Sequence, residues 1–323
     1  MAGGAPLVVW LLQDGKAGHQ NQALALVEAL QRLIPLSVQV LAAPARACPG
    51  LGVLRAWHRS RGLARPELVV GAGHATHGAL LALMLLKRVP SLVVMRPSLP
   101  LAWFSRVVAP SHDLATAVAS PRLIPTFGPL CRQAPAKDAC LPIPQPWPRT
   151  LVMLGGPSRH HLFDRTALQA HLATLLAADS HPEGWCLVDS RRTPTEALQY
   201  LASSLGLTPR QQMSWRNCPS GWLVTALSQH PVVWVSEDSM SMLFEAVSAG
   251  CRVGVLPMPR RAGRFRLQHS LERLVAEGYV LPLSAWRPGQ QLPNPLQPLD
   301  EAGRVADLLV PWLRSLNKER CRR

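Results

Sequence analysis

The sequence predicts an α/β protein built from two Rossmann-like domains that face each other across a cleft. Two observations predict this class. Short apolar runs alternate with stretches of helical periodicity, as in parallel sheets whose strands are buried on both faces. This alternation stops at a proline-rich segment and then starts again. We therefore assign residues 1–133 and 150–323 to two domains, and residues 134–149 to the linker between them.

The predicted strands are continuous apolar runs, and the predicted helices repeat apolar residues at a spacing of three to four. In the first domain the strands are Leu7–Leu12, Leu36–Leu41, Leu68–Val70, Leu92–Met95 and Arg106–Ala109, with a helix at Asn21–Leu33 and another after Val70. In the second domain the strands are Thr150–Leu154, Trp185–Asp189, Val232–Val235 and Val253–Leu256, with helices at Arg165–Ala178, Thr195–Leu205 and Met240–Ala249. A closing helix at Glu301–Leu316 precedes a basic tail.

Composition excludes several classes of protein. The chain has 323 residues, of which 48% are hydrophobic and 16% charged, so it is not intrinsically disordered. Its formal net charge of +15 suits nucleic acid, an anionic membrane surface or phosphorylated ligands. Zinc-finger spacing is absent from the sequence and aromatic residues make up only 5%, so we expect no nucleic-acid partner. The remaining candidates are phosphorylated ligands and a membrane surface.

Cysteine usage and the apolar runs indicate the compartment. The seven cysteines form no C-x-x-C pair, which argues against a disulfide scaffold and against a zinc site. The N-terminal apolar run has no basic segment before it and is typical of a first strand rather than a signal peptide. The run Ala79–Leu86 is far shorter than the ~20 residues that span a bilayer. We expect a cytoplasmic protein, free or peripheral on the inner membrane.

Ligands of doubly wound sheets bind beyond the carboxyl ends of strands, so the loops there are the first places to search for function. In the loop at residues 13–22, glycines allow a ligand to approach the backbone, while Lys16 and His19 supply a cation and a proton-transferring group. The alternative is a polar loop with a helix cap at Asn21. The next loop, GAGHATHG at residues 71–78, carries His74 and His77 without a third ligand, so we predict no metal site.

Three loops of the second domain suit a phosphorylated ligand. Gly155, Gly156, Ser158 and Arg159 follow a strand, and Arg191 lies in SRRTP after the next strand, so N–H groups and guanidinium groups could bind phosphate. In residues 235–250, Asp238 or Ser239 is predicted to cap a helix whose N-terminus suits a diphosphate. Glu245, farther along that helix, could hold ribose hydroxyls. The alternative for each loop is an ordinary turn or a capped helix with solvated charges.

Seven segments in this order resemble one family over nearly the whole chain. They are QDGKAGHQNQ, GAGHATH, MRPSLPLAWFSRVVAPSHD (Met95–Asp113), LGGPSRHH, DSRRTP, SEDSMSMLFEAVSAGCRV and GRFRLQHSL. Together they are similar to the bacterial branch of the family named after the plant mitochondrial-fission protein "elongated mitochondria". That family looks like a GT-B glycosyltransferase, with a nucleotide-sugar donor held mainly by the C-terminal domain.

The resemblance implies roles for individual residues. It places the donor at Gly155, Gly156, Ser158, Ser239, Ser241 and Glu245. It places Lys16, Gly18, His19 and Asp113 on the acceptor side, to which we also assign His74. Ser236 and Glu237 depart from the pattern, since relatives often carry threonine and a small residue there. The nucleotide sugar would be a co-substrate, and no cofactor is expected.

The sequence therefore predicts a metal-independent glycosyltransferase that uses a nucleotide-diphosphate sugar and an envelope glycolipid or saccharide acceptor. Asp14, His19 and Asp113 are the candidates for the general base, and the sequence does not choose between them. A non-catalytic adaptor that keeps the same fold to bind a partner protein is the alternative. In residues 51–65, Arg55, Trp57 and Arg59 are predicted to anchor the chain on anionic lipid, and a solvated basic loop is the alternative there.

Overall fold

A computed structural model describes residues 5–43, 62–114, 120–133, 150–219, 221–229, 232–262, 268–295 and 297–320, with the side chains of 317–320 excepted. The predicted linker at residues 134–149 and the predicted anchor residues Arg55, Trp57 and Arg59 lie outside these ranges. The chain forms two compact units, Met1–Arg132 together with Asp300–Arg323, and Gln133–Leu299. No helix in the described part of the chain combines the length and the apolar character that crossing a membrane requires.

The first unit is built on a parallel sheet of six strands. These are β1 (Leu7–Gln13), β2 (Leu36–Ala42), β3 (Leu68–Ala72), β4 (Ser91–Val94), β5 (Arg106–Pro110) and β6 (Leu123–Thr126), in the order β2-β1-β3-β4-β5-β6. Helix α1 (Ala17–Leu33) packs on one face, and α2 (His74–Lys87) packs on the other around Trp10 and Phe104. Helix α1 begins at Ala17, ahead of the alternative cap at Asn21.

The second unit is also built on a parallel six-stranded sheet. Its strands are β7 (Thr150–Met153), β8 (Trp185–Val188), β9 (Gln212–Met213), β10 (Val232–Ser236), β11 (Arg252–Leu256) and β12 (Val280–Pro282), in the order β12-β11-β10-β7-β8-β9. Its helices are α3 (Arg165–Ala178), α4 (Ala197–Ser204), α5 (Trp222–Gln229), α6 (Met240–Ser248) and α7 (Gln268–Ala276). The predicted α/β class with two Rossmann-like sheets is confirmed.

The last helix, α8 (Glu301–Arg320), completes the core of the first unit. Its residues Val305 and Leu309 are buried in one cluster with Leu30 of α1. The Glu301 carboxylate accepts a hydrogen bond from the Phe127 N–H at 2.8 Å, directly after β6. The sequence had placed residues 300–323 in the second domain, and these contacts correct that boundary. Amphipathic periodicity predicts that a helix buries one face, but it does not say in which core.

Candidate functional site

The strand order of each sheet reverses at one place, and both candidate sites lie there. In the first unit β1 connects to β2 on one side, while β3 continues the sheet on the other side. In the second unit the corresponding neighbours are β7 and β10. Loops that leave two adjacent strands toward opposite faces open a crevice at the carboxyl edge, where doubly wound sheets bind ligands. The loops after β1, β3, β7 and β10 are those that the sequence indicated.

In the first unit, Asp14 and His19 form a close pair after β1. Asp14 Oδ2 lies 2.7 Å from His19 Nδ1, and the Asp14 side chain is only 2% exposed. Asp14 Oδ1 also accepts a hydrogen bond from the Lys16 N–H at 3.1 Å. With both carboxylate oxygens engaged, the imidazole ring is held in one orientation with its other nitrogen, Nε2, available for proton transfer. No described residue is hydrogen-bonded to that nitrogen.

Gly73 brings the loop after β3 against this pair. Its φ of +85° is in the region that favours glycine, and a Cβ there would overlap the His19 ring and lie 2.8 Å from Asp14 Oδ2. Gly73 is also the N-cap residue of α2, so His74, which is exposed, begins its helix beside the Asp14–His19 pair. His77 is buried with Nδ1 3.2 Å from Ser98 Oγ, and burial, with a contribution from His74, lowers its pKa to about 4. His77 is therefore neutral at pH 7.

Asp113 does not join this pair. It lies directly after β5, three strand spacings from β1, which at ~4.8 Å per spacing is about 14 Å. Its backbone carbonyl accepts a hydrogen bond from Arg96 Nη1 at 2.7 Å. Of the three candidate bases, the structure brings together Asp14 and His19. Gly18, in the first turn of α1, is exposed with open space around it.

In the second unit, Asp238 joins the loops after β7, β8 and β10. Its side chain is completely buried. Oδ2 accepts a hydrogen bond from the Gly156 N–H at 2.9 Å and forms an ion pair with Arg192 Nη2 at 2.9 Å. Arg192 Nη1 also donates to the Gly156 carbonyl at 3.1 Å. Nearby, Ser236 Oγ accepts the Gly155 N–H at 2.7 Å. The serine that departs from the family pattern therefore has a structural role.

These contacts correct the prediction for Gly155 and Gly156. Both N–H groups are already hydrogen-bonded to side chains of the β10 loop, so they do not offer the phosphate contact that the sequence suggested. The need for glycine comes from packing instead. A Cβ on Gly155 would overlap the Asp238 carboxylate, and a Cβ on Gly156 would overlap the Arg192 carbonyl. The two glycines allow three loops to meet at the strand-order reversal.

Arg192, rather than Arg191, contacts this loop junction. The Arg191 guanidinium lies over the Trp215 ring, 5.7 Å from its centroid. Arg192 keeps 40% of its side chain exposed while paired with Asp238, so it can still meet an anion. Adjacent arginines give the sequence no signal to distinguish them.

The remaining predicted donor residues lie in the turn after β7 and at the start of α6. Ser158 Oγ accepts the N–H groups of His160 and His161 at 3.1 and 3.0 Å, which fixes the turn, and Arg159 is exposed. Ser239 is the N-cap residue of α6, but its side chain makes no capping hydrogen bond. Ser241 in the first turn is exposed. The first turn of α6 is therefore without a side-chain cap.

Sequence reasoning missed a buried cluster next to this junction. Arg260 Nε donates a hydrogen bond to the Glu237 carboxylate at 2.9 Å, within an ion pair of the two side chains. The same carboxylate lies 3.9 Å from His161 Nε2. These residues come from three separate loops, so no local pattern predicts their contact. Glu237 and Arg260 line a cavity of about 600 Å³ together with Glu272 and with apolar side chains from the end of β11, the loop after it and α7.

Glu245 lies in the second turn of α6 and is partly buried. Burial raises the pKa of its carboxyl to about 7. No described residue is hydrogen-bonded to this carboxyl group. An unpartnered carboxyl on the helix that starts at the loop junction is suited to accept hydrogen bonds from hydroxyl groups of a ligand.

Replacing Glu245 with glutamine should stabilise the second unit above pH 7. The pKa is about 7 in the folded protein against a reference value of 4.5, so the folded state holds the proton more tightly. The contribution of this carboxyl to the free energy of unfolding is then greatest below pH 4.5 and falls by about 3 kcal/mol as the pH rises through 7. Urea unfolding at pH 5 and pH 8 measures this fall, which we expect to be absent in Glu245→Gln. The exposed Glu272→Gln is the control, and an equal fall in all three proteins would contradict the prediction.

Within the described ranges, no three histidine, cysteine, aspartate or glutamate side chains lie close enough to hold a metal ion. The two histidines of GAGHATHG contact each other, with ring centroids 5.6 Å apart.

Sequence comparison identifies one family. A family model described as Mitochondrial fission ELM1 matches residues 17–313. No curated protein matches the chain in sequence.

Comparison with solved structures shows the fold. A protein described as a UDP-N-acetylglucosamine 2-epimerase from Listeria monocytogenes is similar with a TM-score of 0.58 and 12% identity, covering 97% of this chain and 90% of its own. A UDP-GlcNAc 2-epimerase from Methanocaldococcus jannaschii has a TM-score of 0.56 and 9% identity, covering 95% and 99%. A glycosyltransferase from Rickettsia africae has a TM-score of 0.50 and 10% identity, covering 98% and 92%. At these identities the likeness establishes the GT-B-like fold class alone.

Proposed function

This chain belongs to the mitochondrial fission ELM1 family, and from that premise we propose that it is a GT-B glycosyltransferase. It would move a sugar from a nucleotide-diphosphate sugar to an envelope glycolipid or saccharide at the cytoplasmic face of the inner membrane. One observation carries the proposal. In each unit, the place where the strand order reverses holds groups that such a reaction needs, a positioned histidine in the first unit and an arginine beside an uncapped helix start in the second.

The second unit would bind the donor. The first turn of α6 has no side-chain cap, and the partly exposed Arg192 is fixed beside it, so N–H groups and a guanidinium could offset the charge of a diphosphate. Glu245 lies two turns along the same helix and would accept hydrogen bonds from the ribose hydroxyls. Two structural neighbours have names that contain UDP-N-acetylglucosamine, which makes UDP the first nucleotide to test.

The first unit would supply the general base. His19 Nε2 would accept the proton of the acceptor hydroxyl as that oxygen forms a bond to the anomeric carbon of the sugar. The bond between the anomeric carbon and the phosphate oxygen breaks, and the nucleoside diphosphate leaves with the electron pair. Asp14 positions the ring and stabilises the imidazolium that forms. Asp14 is thus a positioning residue, and His19 is the catalytic residue.

Binding of one nucleotide in a calorimetric and thermal-shift screen would test the donor site. The screen uses UDP, GDP, ADP, CMP and their sugars with the full chain. We expect saturable binding of one nucleotide, weakened about tenfold or more in Glu245→Ala because charged hydrogen bonds contribute ~1.5–3 kcal/mol. Glu183→Ala is the matched control, because Glu183 is exposed and lies directly before β8, at the edge of the sheet opposite the loop junction, and it should bind as the wild type does.

Failure of the folded protein to bind any of these nucleotides would overturn the proposal. The family's description concerns mitochondrial fission rather than a sugar-transfer reaction, so the candidate left standing would be a non-catalytic adaptor. An adaptor has no need for an uncapped α6 N-terminus beside a partly exposed arginine.

A further inference from the structure

Helix α2 presents an apolar face to solvent. Every residue from Gly78 to Leu86 is apolar or glycine. Leu80 and Leu83 are buried against the sheet, whereas Leu85 and Leu86 are 73% and 57% exposed. A helix on the surface of an α/β protein ordinarily turns a polar face to water. The described part of the chain places nothing over these two leucines.

Two further exposed apolar side chains lie next to this end of α2. The start of β4, four residues after α2, is fixed to the segment before β5, because Ser91 and Ser105 exchange hydrogen bonds between N–H and Oγ at 3.1 and 3.2 Å. That segment carries Trp103, which is 51% exposed. On the other side, Arg65 donates to the Lys87 carbonyl at 2.7 Å, which holds the neighbouring Leu63 near the helix end. Large apolar side chains exposed together mark an interaction surface.

Cations surround these side chains. Arg65, Lys87 and Arg88 lie at the end of α2, and Arg122 donates to the Phe104 carbonyl beside Trp103 at 3.2 Å. Residues 62–66, 74–106 and 120–126 contain neither aspartate nor glutamate. We call this surface the apolar-basic patch, which consists of Leu63, Arg65, Leu85, Leu86, Arg88, Trp103 and Arg122.

We propose that the apolar-basic patch docks the protein on an anionic lipid bilayer. Leucine side chains and a tryptophan ringed by arginine fit the boundary between headgroups and acyl chains, where the apolar groups are buried and the cations meet lipid phosphates. The core of a protein interface is instead depleted of charge. This inference rests on the proposed function for the membrane location, and it adds a docking surface to that proposal.

Vesicle sedimentation of the full chain tests the docking surface. The probes are phosphatidylcholine vesicles with and without phosphatidylglycerol. We expect the wild type to sediment with the anionic vesicles only, less so at high salt, and Leu85→Gln/Leu86→Gln to lower the partition coefficient about tenfold or more. Leu308→Gln is the matched control, because Leu308 is a 55% exposed leucine on α8, which packs on the opposite face of the sheet. It should partition as the wild type does.

Nucleotide binding is measured on the same proteins, so that the two proposals fail separately. Wild-type protein that binds a nucleotide but stays in the supernatant overturns the docking surface alone. Vesicle binding without nucleotide binding overturns the proposed reaction and leaves the docking surface standing. The docking surface is also overturned if Leu85→Gln/Leu86→Gln and the wild type partition equally onto anionic vesicles. It is overturned as well if light scattering shows that the wild type is a dimer and that this variant is a monomer.

Discussion

Replacing Asp14 with asparagine should lower kcat for glycosyl transfer by about 10²- to 10⁴-fold and leave KM for the donor unchanged. The carboxylate holds His19 through the 2.7 Å contact between Oδ2 and Nδ1, and its negative charge stabilises the imidazolium that forms in the transition state. Asparagine keeps an oxygen that can accept the Lys16 N–H, so the loop should retain its shape. Initial rates at varied donor concentration separate the two constants.

Asp113→Asn is the control for this assignment. Asp113 lies three strands away from the pair and is half-exposed, so its replacement should change kcat little. His19→Ala should lose as much activity as Asp14→Asn, and the two together should lose little more than either alone, because the pair acts as a unit. A large loss in Asp113→Asn with full activity in Asp14→Asn would show that the base has been assigned to the wrong residue.

Replacing Gly156 with alanine should destabilise the second unit by about 1–3 kcal/mol and abolish nucleotide binding. The added Cβ would overlap the backbone carbonyl of Arg192 and lie 2.7 Å from the Thr193 N atom. Backbone atoms cannot rotate away as the end of a side chain can, so the loops after β7 and β8 must move apart. That movement separates Arg192 from Asp238 and disrupts the start of the donor site.

Urea unfolding and nucleotide calorimetry measure the two effects. Gly78→Ala is the matched control, because a Cβ there meets open space in the middle of α2 and should stabilise the helix by up to about 1 kcal/mol. Wild-type stability in Gly156→Ala would mean that the loops are less tightly packed than the structure indicates.

The fold could be predicted from sequence where burial makes a strand continuously apolar. Strands β1, β3, β7 and β10 are such runs, and each was expected close to where it lies. The edge strand β9 has only two residues, too few for a pattern. The strand order was not predictable either, because it depends on contacts between segments far apart in the chain.

The candidate site was predictable in position and only partly in chemistry. The loops were found because ligands bind after strand ends, and Asp14 and His19 are close in sequence as well as in space. The roles of Gly155 and Gly156 were not predictable. Their N–H groups donate hydrogen bonds to the side chains of Ser236 and Asp238, which lie about 80 residues later in the chain, at the end of β10 and just after it. Arg260 and Glu237 meet for the same reason, through loops that only the folded sheet brings together.

The position of α8 has a consequence for synthesis on the ribosome. The second unit is an insertion between β6 and α8 of the first, so its residues are all translated before the first unit has its last helix. Until then Leu26 and Leu30 of α1 lack the partners that cover them. Translation runs from the N-terminus, and the first unit contains both the first and the last residues of the chain. This unit is therefore the first to begin synthesis and the last to be completed. The nascent first unit therefore exposes an apolar face throughout elongation and is the natural client of a chaperone, whereas the second unit can fold as soon as it emerges.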